Sequence, residues 1–72
     1  MTQILELLDV VEATHRVRSH FAEMPALRLT LPQAKRLFGL SEEACSSILT
    51  ALVRDGWLIQ ARDGKFVRPH EH

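Results

Sequence analysis

The sequence predicts a mainly α domain that closes with a small β-hairpin. Three observations carry this reading. Residues 2–23 hold no glycine or proline and repeat apolar side chains at helical spacing. A second apolar stripe of the same period lies between Gly39 and Gly56. Beyond Gly56, short apolar stretches flank Asp63-Gly64, the pattern of two strands joined by a tight turn.

The elements follow in order. In the first segment Ile4, Leu8 and Val11 form one stripe, which Leu5 and Leu7 widen. Val17, Phe21 and Met24 form a second, extended backward by Val10. These residues make one long helix, or two with a break near Thr14 and His15. The helix stops before Pro25, whose ring cannot continue it. Leu27-Arg28-Leu29-Thr30-Leu31 alternates apolar and polar, as a short strand does.

Thr30-Leu31-Pro32-Gln33 matches a capping box, with proline in the first turn, where its missing N–H costs nothing. That helix runs to about Phe38, with Ala34, Leu37 and Phe38 inward, and Gly39 ends it in a left-handed conformation. Ser41 caps a further helix over residues 42–55, with Glu42 and Glu43 at the end where the helix dipole favours acid. Its buried stripe is Ala44, Cys45, Ile48, Leu49, Leu52 and Val53. Gly56 stops it. Residues 57–61 read as a strand, residues 62–65 as a type I′ turn and residues 66–68 as the partner strand. Pro69 ends the pairing, and residues 70–72 read as a frayed tail.

Composition narrows the function. The chain has 72 residues, room for one domain, with 9 basic against 9 acidic side chains. Bulk positive charge therefore cannot hold a nucleic acid, nor can a polybasic segment hold a membrane. The charge is unevenly spread, however: residues 1–27 sum to −2 and residues 28–68 to +3. No apolar run approaches the ~18 residues a membrane span needs. The first six residues lack the basic start of a signal peptide. With the lone Cys45 this leads us to expect a cytoplasmic, reducing location. Cys45 lies on the buried stripe and reads as a small core residue. Trp57 reads as packing against the helices. The four histidines, His15 and His20 on different helix faces and His70 and His72 in the tail, offer no converging set of the three or four ligands a zinc site needs. We expect no metal, no cofactor and no catalytic residue, since no serine or cysteine has a histidine placed to activate it.

The string Ala34-Lys35-Arg36-Leu37-Phe38-Gly39-Leu40-Ser41, followed by Cys45-Ser46, Ile48-Leu49, Leu52 and Gly56-Trp57-Leu58-Ile59, resembles the winged helix-turn-helix domains of bacterial transcription regulators. The likeness covers residues 27–68, with residues 10–24 as the first helix. It divides the single domain, residues 1–72, into an N-terminal helix (1–24), a helix-turn-helix with its wing (27–68) and a tail (69–72). It implies duplex DNA binding, with helix 42–55 in the major groove and the wing at 57–68 beside it. Ser46, Ser47 and Thr50 would then face bases. Lys35, Arg36, Arg54, Arg62 and Lys65 would face phosphates. Ser47 departs from the arginine or lysine common at that place, and Glu42 and Glu43 would repel phosphate. Ile4, Leu5, Leu8 and Val11 are the expected homodimer interface. The competing expectation is a winged-helix protein-interaction module that binds no nucleic acid, which overall neutrality and Glu42-Glu43 favour.

Overall fold

The computed structural model describes the backbone of residues 2–69 and the side chains of residues 9–69. Three helices precede a two-stranded antiparallel hairpin: α1 (Thr2–Glu23), α2 (Leu31–Phe38), α3 (Glu42–Arg54), β1 (Ile59–Gln60) and β2 (Phe66–Val67). Ile59 pairs with Val67, and Gln60 with Phe66. Among the described residues no helix is long and apolar enough to cross a membrane.

α1 is one unbroken helix. The Thr14 hydroxyl donates to the Val10 carbonyl at 2.7 Å, so its polar group is satisfied within the helix and no break is needed. Among the described side chains of α1, Ala13, Val17 and Phe21 lie in the core. Met24 and Val10, at the two ends of the second apolar stripe, are exposed. Met24 lies past the last helical residue, where helical spacing no longer fixes its direction. Val10 lies ahead of the stretch of α1 that the core covers.

The capping box of α2 forms as read: the Gln33 N–H donates to Thr30 Oγ1, and the Thr30 N–H to Gln33 Oε1. Gly39 closes the helix at φ 65°, a conformation a side chain would strain. Eight residues bury only one narrow row, Ala34 and Phe38, and Leu37 is 48% exposed, against expectation. In α3 the inner row is Cys45, Ile48, Leu49 and Leu52, all buried; Ala44 and Val53 are only half-buried at its margins.

Two expected strands are shorter than read. The segment 27–31 contributes a single bridge, Leu29 to Phe66, in which each N–H donates to the other's carbonyl (3.2 and 2.7 Å). Leu29 thus lies on the edge of β2 away from β1. Residues 57–58 are not strand, because their N–H groups are used elsewhere. Trp57 and Leu58 both donate to the Leu52 carbonyl, closing the end of α3 (2.9 and 3.1 Å). The hairpin loop is also not the expected type I′ turn. Gly64 alone in it has positive φ, and Ala61 N–H donates to the Lys65 carbonyl across three loop residues. Asp63 stays in an ordinary conformation with its Oδ1 accepting from the Lys65 N–H at 3.0 Å.

The core unites the three helices and β2 through Phe21, Phe38, Leu49 and Phe66, with Leu58 entering it just before β1. Leu49→Ala should lower the unfolding free energy by about 3 kcal/mol, from lost burial and the cavity left behind. Ser41→Ala should cost about 1 kcal/mol through the lost cap. Urea denaturation followed by Trp57 emission would measure both; a Leu49→Ala loss no larger than that of Ser41→Ala would contradict this core.

Candidate nucleic-acid interface

The outward face of α3 is set by its inward one. Cys45, Ile48, Leu49 and Leu52 turn one side to the core, which leaves Ser47, Thr50 and Arg54 exposed on the other. Ser46 is half-buried at the margin. Upstream, Gly39-Leu40-Ser41 joins α2 to α3. Leu40 packs on the core, and Ser41 Oγ accepts from the Ala44 N–H at 3.1 Å. The start of α3 is thereby held firmly. Glu42, Glu43, Ser46 and Ser47 line a shallow cleft there with Leu31. A neighbouring cleft is walled by Asp9 and Val10 of α1 opposite Glu43 and Ser47.

The expected cations fall into two groups. Lys35 Nζ lies 3.6 Å from Glu42 Oε1, an ion pair that bridges the α2–α3 turn. Arg36, Arg54 and Arg62 are exposed, and Lys65 is half-buried in the hairpin. Among the described residues these four side chains make no ion pair. The structure brings Ser46 and Ser47 together at one cleft; Arg36, Arg54, Arg62 and Lys65 do not line it. Of the expected dimer residues, Val11 is 54% exposed, while the side chains of Ile4, Leu5 and Leu8 lie outside the described residues.

Three basic residues have structural roles that the sequence reading did not assign. Arg28 reaches the hairpin tip and pairs with Asp63 at 3.3 Å. The Arg68 guanidinium lies 3.9 Å from the Trp57 ring centroid and donates to the Trp57 carbonyl. The Arg18 guanidinium lies 5.1 Å from the same ring. Cation–π contact with a half-buried indole thus ties α1 and the end of the hairpin to the start of the strand region. Arg28 and Asp63 are 35 positions apart, so no local pattern announces them.

The histidines are placed separately. His15 is exposed. The His20 ring meets Phe38 edge-on at 5.1 Å and its Nδ1 lies 3.1 Å from the Arg16 carbonyl. His70 and His72 lie outside the described residues. Burial pushes the Cys45 thiol up, partly offset by Lys35, which keeps it protonated and a poor nucleophile. Comparison with protein families, characterised proteins and solved structures finds no match.

The Lys65 N–H, then the Arg28 guanidinium, holds the Asp63 carboxyl below its ordinary range. A depressed carboxyl favours the folded hairpin above the ordinary carboxylate pKa of about 4 and loses that effect as pH falls through the lowered value. We expect the Lys65 amide proton to exchange faster in Asp63→Asn at neutral pH, with the difference from the parent shrinking in strong acid. Hydrogen exchange followed by NMR would check this; equal exchange at neutral pH would contradict it.

Proposed function

We propose that the chain is a winged helix-turn-helix domain that binds duplex DNA, in the manner of a bacterial transcription regulator in the cytoplasm. α3 is its recognition helix and the β1–β2 hairpin its wing. The observation that carries this is the outer row of α3: Ser47, Thr50 and Arg54 are exposed and have no hydrogen-bonded or ionic side-chain partner among the described residues. The helix bearing them is anchored by its opposite face, so the backbone that carries the row needs no ordering on binding.

Ser46, Ser47 and Thr50 supply small hydroxyl groups for base edges, and Glu43 an acceptor suited to the cytosine amino group. Arg36, Arg54, Arg62 and Lys65 supply phosphate contacts, with Lys35 partly neutralising Glu42 instead. Four phosphate contacts give weak, salt-sensitive binding by one copy. Two copies joined through α1 would double the count and read two half-sites.

A second reading has one observation behind it. Asp9 and Glu43 face the cleft beside Ser47, an acidic wall that phosphate would avoid and a basic protein partner would not. Salt separates the two, because duplex binding releases counterions in proportion to its phosphate contacts.

The test is fluorescence anisotropy of a labelled random duplex across a salt series. The parent should bind saturably, with affinity falling as salt rises. Replacing Arg36 and Arg54 together by Ala should weaken binding to every sequence and lower the log–log salt slope by about 2. An unchanged slope would overturn this docking face; no binding at low salt would favour the protein-interaction reading.

A further inference from the structure

The outer side of the hairpin carries an apolar groove that none of the proposed DNA-contacting residues lines. Phe66 points into the core, so its neighbour Val67 points away, as successive strand residues do. Val67 faces Ile59 in register across β1 and β2, and Ile59 is 46% exposed. With Pro25 and Ala26 they line a groove of about 390 Å³. Arg28 and Arg68 also line it. Asp63 and Trp57 respectively hold these two arginines in place, so they are ordered before any partner arrives.

The N-terminal half of α1 has the complementary chemistry. Residues 2–12 contain Ile4, Leu5, Leu7, Leu8, Val10 and Val11, with Glu6, Asp9 and Glu12 and no basic residue. Among the described side chains, α1 enters the core only from Ala13 onward. One surface is apolar and bordered by arginine. The other segment is apolar and carries only acid.

The helix length allows the two to meet. α1 spans 22 residues, a rod of about 33 Å, and the groove opens at Pro25-Ala26, directly past its C-terminal end. When two copies pair antiparallel about a two-fold axis, the N-terminal half of each α1 comes beside the C-terminal end of its partner's. That is the mouth of the partner's groove. Each contact then forms twice, and the pair closes without leaving a sticky surface for further growth.

We propose that the chain forms a reciprocal homodimer in which residues 4–11 of each copy's α1 seat in the Ile59–Val67 groove of the other. This goes beyond the DNA-binding reading and does not depend on it. It also differs from a simple pairing of one α1 stripe with another.

Sedimentation velocity on the full chain, over a wide concentration range, tests it. Val11→Glu places a charge among the apolar residues of a segment that already carries Glu6, Asp9 and Glu12, and Ile59→Glu places one in the groove. Both positions are exposed within one copy, so the fold should survive, as circular dichroism and Trp57 emission would verify. The parent should sediment as a dimer, twice the 8.2 kDa of one chain. Each variant alone should lose the dimer. A parent that stays monomeric overturns the proposal. So does an Ile59→Glu dimer beside a Val11→Glu monomer, the result expected when α1 pairs with α1. Two variants that both remain dimeric overturn it as well.

Discussion

One helix has to serve the core and the surface at once. A chain of this size buries only about 60% of the surface its unfolded form exposes, so no element can be given wholly to function. α3 resolves this by division of faces. Leu49 is shielded completely, and Cys45, Ile48 and Leu52 pack around it. The same row that holds the domain together therefore aims Ser47, Thr50 and Arg54 outward. The caps at both ends of α3 serve this division. Ser41 fixes its start, and the Trp57 and Leu58 amides fix its end at the expense of strand pairing.

The charges obey a similar constraint. The sequence is neutral in sum, so a positive surface can exist only where the acids lie on another part of the molecule or are matched by a neighbouring base. Glu42 is partnered by Lys35 and Asp63 by Arg28. Both pairs are exposed to solvent, and each adds little to stability. Their effect is one of placement: one bridges the turn before α3, and the other tethers the hairpin tip to the segment before α2. Arg68 and Arg18 at Trp57 add a third tether, between α1 and the hairpin. Among the described residues, the basic side chains left without an ion pair or cation–π contact are Arg16 on α1 and Arg36, Arg54, Arg62 and Lys65, the last four within the part of the chain whose charge balance is positive.

Much of the fold was legible because it rests on local chemistry. Thr30 with Gln33, Ser41 and Gly39 mark helix ends through bonds to residues within a few positions, and the inner row of α3 follows from periodicity. What escaped depends on competition or distance. The stretch 57–61 has strand composition, yet α3 takes its first amides. Leu37 fits an amphipathic pattern, but α2 is too short to bury more than Ala34 and Phe38. Asp63-Gly64 suggests a two-residue turn, and the Asp63 bond to the Lys65 amide selects a three-residue loop instead. In the candidate site, the exposure of Ser47, Thr50 and Arg54 was legible from the same periodicity. The loss of Lys35 to Glu42 was not, since it requires knowing how the turn folds back. The Ile59–Val67 groove likewise emerges only once Leu29 is seen to pair with Phe66.

We propose that α3 and the hairpin together present one face to duplex DNA. Amide chemical-shift mapping of the labelled protein, titrated with a short random duplex at low salt, tests it most directly. We expect shifts along residues 46–54, at Arg36 and across the loop at 62–65, with Ile59 and Val67 unmoved. A duplex that moves none of these signals, or moves only those of the outer groove, would contradict it.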